Sequence, residues 1–389
     1  MNRLPAIPES EYPKRWEQVR AMMDREELDL LLLYSDDRAT FGSAHARWLA
    51  GFMTHFEPTC ILFVKAADEP IMLVGPETPG YARIHSRIKD IRVLRELTHP
   101  DEDYPYTTIE PLGKIVASLT DASSIKRLGI AGRSLIPYDL FRSFMDALPG
   151  QWVSADEPMG EMRQIKTEAE IRVIRYAYQI AEAGLEAALE VIAPGASERR
   201  VAAAAEYAMR SMGAECYGID TMVASGVNSS PIIARTTMRE IGKDDLVLLT
   251  FAPRYEGYHA AIGLPVLVGN PCDEARRAAE AAIRAQKACA AMLKAGQTCA
   301  AEGEARRIMQ EAGFGGNFLY SGIHSVGVIE FEPPIFGPSS NAVMRQDMVL
   351  SVDIPVFDGP WGGLRLEDGY LIEKHSARRL TRFDYAPHR

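Results

Sequence analysis

The sequence predicts an α/β protein of two domains, with an α+β arrangement in the second. Two observations carry that expectation. Between about residues 12 and 150, short apolar runs of strand length alternate with helical stretches. Beyond Leu148-Pro149-Gly150 the pattern changes to long amphipathic helices followed by groups of strands, twice over. The expected domains are residues 1–155 and 156–389. With 47% apolar and 25% charged residues the chain has ordinary globular usage and enough apolar side chains to bury a core.

The elements follow in order. Trp16, Val19, Met22 and Met23 have helical spacing between Tyr12 and Glu27. An apolar run, Leu28 to Tyr34, then ends at Ser35-Asp36-Asp37. Further strand runs are Cys60–Val64, Ile71–Val74, Ile91–Leu94 and Arg127–Ala131, with helices expected at Tyr106–Leu119 and Tyr138–Leu148. Ser154–Gly160 reads as a linker. Glu168–Ile192 is a long helix with Ile171, Ile174, Tyr178 and Leu185 on one face, stopped by Pro194-Gly195. A second helix opens at Ser197 and reaches Met212. Strands are expected at Thr221–Ala224, Leu246–Ala252 and Tyr258–Val268. Helices at Asp273–Ala295 and Glu302–Glu311 precede strands at Ser325–Phe331, Met348–Val356 and Gly369–Glu373.

The formal charge of −10 disfavours a nucleic-acid partner. No apolar run approaches the roughly 20 residues of a membrane-spanning helix. The five cysteines form no CxxC pair, so a zinc ribbon or disulfide framework is not expected. The polar, proline-bearing first fifteen residues lack the apolar core of a secretion signal. The expectation is a soluble, cytoplasmic protein acting on a small molecule.

Five strings then occur in order. They are Arg163-x-x-Lys166-x-x-x-Glu170-Ile171; Gly257-Tyr258 after the strand Leu246–Leu249; Gly322-Ile323-His324-Ser325-Val326-Gly327 with Glu332-x-Pro334; Met348 to Pro355; and Gly363-x-Arg365-x-Glu367-Asp368. Together the chain resembles the creatinase/aminopeptidase P/prolidase (M24) family. The resemblance implies an N-terminal creatinase-type α/β domain, a pita-bread catalytic domain and a homodimer. In such dimers a loop of the N-terminal domain, here Gly51 to Pro58 with His55 and Glu57, reaches the partner's active site.

The family's peptidases hold two metal ions with Asp, Asp, His, Glu and Glu. By the resemblance these positions fall on Thr250, Ala261, His324, Asp353 and Glu367, so two carboxylates are missing. Two further histidine positions fall on Ile233 and Phe331. The stretch from Ser225 to Tyr258 is similar to creatinase, the member that works without metal. The leading expectation is therefore a creatinase-like hydrolase that cleaves a C–N bond of a small guanidino, ureido or amide substrate with no cofactor. Its catalytic residues would be His324, Glu367 and Arg365. Asp353, His259, Tyr258, Phe251, His55 and Glu57 would bind substrate. The alternatives are an Xaa-Pro-peptidase-like enzyme with one divalent ion on His324, Asp353 and Glu367, and an inactive small-ligand-binding protein. Alternation along the last strand places Arg365 and Glu367 on one face, either as chemistry or as a structural ion pair.

Overall fold

A computed structural model describes residues 4–385. They divide into two units, one of residues 7–163 and one of residues 4–6 with 164–385.

The first unit is a seven-stranded sheet flanked by helices. Its helices are α1 (Glu11–Arg25), α2 (Ala44–Ala50), α3 (Pro79–His85), α4 (Leu112–Ala117), α5 (Tyr138–Ala147) and α6 (Asp156–Met162). Its strands are β1 (Leu30–Ser35), β2 (Thr59–Val64), β3 (Ile71–Val74), β4 (Asp90–Leu94), β5 (Ile109–Glu110), β6 (Arg127–Ala131) and β7 (Gln151–Ser154), in the order β5-β4-β3-β2-β1-β6-β7. The interior strand β1 is parallel to β6 and antiparallel to β2. It is buried along its whole length, which explains its uninterrupted apolar run. Two expectations change here. The helix expected from Tyr106 begins only at Leu112, because Pro111 holds extended backbone at its N-terminal cap. Ser154–Gly160 is not a linker but the end of β7 and the start of α6. Asp156 and Glu157 sit in the first turn of α6, where carboxylates are favoured, and Asp156 also accepts the Gly132 amide at 2.6 Å.

The second unit has four helices, α7 (Glu168–Val191), α8 (Glu198–Ser211), α9 (Asp273–Met292) and α10 (Ala300–Glu311). Its strands are β8 (Cys216–Tyr217), β9 (Met222–Ser225), β10 (Leu246–Phe251), β11 (Pro253–Tyr255), β12 (Tyr258–His259), β13 (Ile262–Leu267), β14 (Ile323–Ser325), β15 (Glu332–Ile335), β16 (Val349–Gly359), β17 (Gly362–Ile372) and β18 (Ala377–Arg379). The main sheet runs β15-β14-β16-β17-β13-β10-β9, with β18 on β17; β12-β11-β8 form a separate small sheet. The long hairpin β16–β17 is its backbone. The helices pack on these sheets, α7 against β10, β11 and β12 and α9 against β16 and β17. Gly369 permits that approach, since a Cβ there would lie 2.1 Å from Cζ of the fully buried Tyr178 on α7.

The strand expected at Ser325–Phe331 is interrupted. A turn over 326–331 separates β14 from β15, and a buried ion pair closes it. Lys166 Nζ meets Ser325 Oγ and the Glu332 carboxylate at 3.2 Å each, and Glu332 accepts the Ile329 amide at 3.1 Å.

Candidate active site

Strand register and alternation assemble the site. Across β14, β16 and β17, His324 lies opposite Ser351, and Asp353 opposite Glu367. Positions two apart share a face, so Ser351, Asp353, Arg365 and Glu367 crowd one patch of the sheet. His324, Asp353, Arg365 and Glu367 line a cavity of about 500 Å³ together with Tyr320, Glu330 and Phe331. The remaining wall is largely aliphatic: Ile219, Met222, Ile232, Ile233 and Ile335.

The polar groups form two linked sets. In the first, His324 Nε2 lies 3.4 Å from Glu367 Oε1, and its Nδ1 lies 3.1 Å from the Ser325 carbonyl. In the charged ring Nδ1 donates to that carbonyl and Nε2 to the carboxylate. Ser351 Oγ donates to the same Glu367 oxygen at 2.7 Å. Glu330, from the 326–331 turn, completes the set: ligand atoms of His324, Glu330 and Glu367 all lie within 4.8 Å of one another. Gly218 makes room for it, because a Cβ there would come within 2.8 Å of the Glu330 Cβ. In the second set, Tyr320 donates to Asp353 Oδ2 at 2.6 Å and accepts from Arg365 Nε at 2.9 Å. Arg365 Nε also pairs with Asp353 at 3.3 Å. Asp353 Oδ1 is buried without a hydrogen-bond partner.

Burial decides the shift at Glu330 and Asp353 and is outweighed at His324 and Glu367. It drives Glu330 up to about 7, with the nearby His324 opposing the rise. Burial likewise lifts Asp353 to about 7, against the pull of Arg365. For His324, burial favours the neutral ring, but the hydrogen bond to Glu367 and the charges of Glu330 and Glu367 outweigh it and the net shift is upward. Burial also works to raise Glu367, yet His324, Arg365 and Ser351 hold it below the usual carboxylate range.

Several sequence-derived candidates lie elsewhere. Arg365 pairs with Asp353 across the hairpin rather than with Glu367 along its own strand. Phe251 is fully buried in the core at the end of β10. Tyr258 donates to Glu170 Oε1 at 2.6 Å, and the other oxygen of Glu170 caps α7 through the Thr167 amide. That tyrosine anchors a helix and does not line the cavity. His259 is also fully buried, with Nδ1 3.2 Å from the Gly327 carbonyl; burial and Arg254 hold it down at about 3, so it stays neutral. His55 and Glu57 belong to the first unit, beside a cavity of about 380 Å³ there. His55 is exposed, and Glu57 is consumed by the Glu77 and Thr78 amides and the Thr78 hydroxyl. Glu330 and Tyr320 were not among the site residues expected from the sequence. The available signal was an acidic residue inside the apolar string Val326 to Phe331.

Comparison with known proteins adds a second line of evidence. Residues 172–374 match the model of metallopeptidase family M24, and residues 15–165 match the creatinase/prolidase N-terminal domain. The chain is 32% identical over 289 residues to an Xaa-Pro dipeptidase of Pyrococcus horikoshii, spanning 74% of this chain and 81% of that protein. The crystal structure of the prolidase from Pyrococcus horikoshii OT3 superposes with a TM-score of 0.83 at 26% identity, covering 96% of this chain and 99% of that one. An X-Pro aminopeptidase from Thermotoga maritima shares the fold, with a TM-score of 0.80 at 22% identity over 96% and 98% of the two chains. No described helix is long and apolar enough to cross a membrane.

These matches overturn the expectation of a site with no cofactor. The matched family is one of metallopeptidases, and the described residues include a donor set able to hold a cation, His324, Glu330 and Glu367. The fit depends on how many ions are placed. A pair does not fit: Ala261 offers no donor, and the Thr250 hydroxyl is buried without a partner, a poor substitute for a bridging carboxylate. A single ion fits. One histidine and two carboxylates suit zinc, manganese or iron. The convergent third donor is Glu330, whereas Asp353 is engaged by Arg365 and Tyr320.

Proposed function

Because the chain belongs to metallopeptidase family M24, and is with it a hydrolase of C–N bonds, we propose that it is an Xaa-Pro-dipeptidase-like enzyme working with one divalent cation. The observation that carries this reading is the convergence of His324, Glu330 and Glu367 at the cavity. A bound cation would polarise the scissile carbonyl and lower the pKa of the attacking water. The chain's own residues do the rest. The Ser325 carbonyl fixes the His324 tautomer, and Ser351 orients Glu367. Tyr320, held between Arg365 and Asp353 at the cavity wall, is the proton donor for the leaving nitrogen in this reading. Burial of the polar patch excludes bulk water and strengthens each of these contacts.

The test is metal content by mass spectrometry, joined to hydrolysis of Leu-Pro, Ala-Pro and Gly-Pro with and without added Mn²⁺, Zn²⁺ or Co²⁺. The expected result is about one tightly held ion per chain, with turnover that requires it, and loss of both in Glu330→Gln. Two ions per chain, or turnover that survives complete chelation, overturns the single-cation reading. The same reading carries a homodimer, tested by light scattering at twice the 43.0 kDa chain mass.

A further inference from the structure

Tyr320 sits in a stretch of chain that does little to hold itself. Between α10 and β14 the segment carries Gly313, Gly315, Gly316 and Gly322, and its only regular element is the short turn Gly315–Asn317. Glycines give the backbone many conformations to choose from. Left alone, such a segment would not keep a phenol within hydrogen-bond distance of Asp353 and Arg365.

One side chain on α10 removes that freedom. Arg306 Nη1 donates to the Phe318 carbonyl at 3.0 Å, and Nη2 donates to the Tyr320 carbonyl at 2.7 Å. Both carbonyls lie beyond α10, so the arginine is not spent on its own helix. Its guanidinium carbon is 4.3 Å from the Phe318 ring centroid. Its Nε donates at 2.7 Å to Glu302 Oε1, one turn earlier on the helix. The Glu302 side chain is only 1% exposed, and the same oxygen accepts the Gly322 amide at 3.4 Å. The pair therefore grips the chain on both sides of Tyr320. A planar fork with several fixed donors is suited to this, and a single ammonium is not.

The far side of the segment is fixed as well. The Gly322 carbonyl accepts the Asp353 amide at 2.7 Å, and a Cβ on Gly322 would lie 2.5 Å from the Asp353 carbonyl oxygen. The backbone thus lies directly on β16. Desolvation and the charge of Asp353 keep the Tyr320 phenol protonated, well above the usual tyrosine range. Arg306 itself is not among the cavity-lining residues.

We propose that Arg306, braced by Glu302, is a positioning residue that sets where the Tyr320 hydroxyl stands in the cavity. It acts from α10 and touches no substrate. The proposal rests on the reading of Tyr320 as proton donor and deepens it, because it places control of that donor outside the cavity.

A double-substitution cycle on the full, metal-loaded chain with Ala-Pro as substrate tests it. Arg306→Met is made together with Glu302→Gln, so that no buried carboxylate is left unpaired, and is compared with Glu302→Gln alone. Removing Arg306 should lower kcat about tenfold or more, keep KM within about twofold and leave the bound ion in place. In a Tyr320→Phe background the same removal should cost almost nothing further, since the group it positions is gone. Arg306→Lys keeps the charge but not the fork; it should fall between the two in kcat, and it serves the same cycle if the methionine variant does not fold. An unchanged kcat, or losses that add in full to those of Tyr320→Phe, overturns the proposal. A second readout needs no turnover. In chain labelled with 3-fluorotyrosine, the fluorine resonance of Tyr320, assigned by Tyr320→Phe, should move when Arg306 is removed; an unmoved resonance overturns the proposal. Failure of the hydrolase reading looks different: the parent chain cleaves no peptide, while the fluorine resonance still decides whether Arg306 sets the tyrosine.

Discussion

The two units bury charge to opposite ends. In the first unit Arg15, Glu57 and Arg163 serve the fold. Arg15 donates to the Trp48 carbonyl at 2.6 Å and lies against the Tyr12 and Trp48 rings. Glu57 accepts from two backbone amides and a hydroxyl, and Arg163 is 3.4 Å from His45 Nδ1. In the second unit the buried groups of β14, β16 and β17 face one another around a cavity, and Asp353 Oδ1 there has no hydrogen-bond partner. Burial of a charge is therefore not a sign of function on its own. What distinguishes the site is that its buried charged groups converge on one cavity.

That contrast can be broken by substitution. The largest effect belongs to the second unit: Glu367→Gln should lower hydrolysis of a cleaved substrate by about 10³-fold or more, with little change in melting temperature. A large loss of stability with turnover kept would reverse the contrast. In the first unit the pattern inverts. Glu57→Ala strands two amides and should cost about 2–3 kcal/mol in denaturant unfolding, while kcat stays near that of the parent chain. Three of the four tryptophans, Trp16, Trp48 and Trp152, lie in this unit, so fluorescence reports on it.

A pH scan sharpens the comparison at smaller amplitude. Burial, aided by Arg163, holds His45 down at about 3, against an ordinary value of 6.5. The ring is neutral in the folded unit and would charge on unfolding. Its contribution is complete above pH 6.5 and is lost as pH falls toward 3, at a limiting slope of about 1.4 kcal/mol per pH unit. His45→Gln should flatten that slope in the fluorescence-detected transition; an unchanged slope would show that another group carries it. The smallest effect is Thr381→Ala, which removes a hydroxyl bonded to Asp368 at 2.8 and 2.9 Å and should cost about 1 kcal/mol.

Much of this was legible in the residues. Apolar periodicity located most strands of both sheets, and alternation put Arg365 and Glu367 on one face, because period and pleat are local properties. His324, Asp353 and Glu367 were legible because each sits in a regular strand. Glu330 was not, since it reaches the cavity from a turn whose shape depends on the Lys166–Glu332 pair, formed across 166 residues. Tyr258 and His259 were misplaced for a related reason: they adjoin a familiar string, yet β12 belongs to the small sheet, and their polar atoms are taken by Glu170 and Gly327. The contacts of Glu57 were not legible, because its partners Glu77 and Thr78 lie twenty and twenty-one residues away.

On β17, Asp368 is the immediate neighbour of Glu367 and points to the other side of the sheet. There it is gripped by Thr381, by Tyr385 at 2.7 Å and by Arg379, all within the last described stretch of chain. Nicking by a protease near residue 380 would strip two hydroxyl donors from a fully buried carboxylate one peptide bond from the cavity. Limited digestion, or a bulky tag fused at that end, should therefore be felt in catalysis as well as in stability.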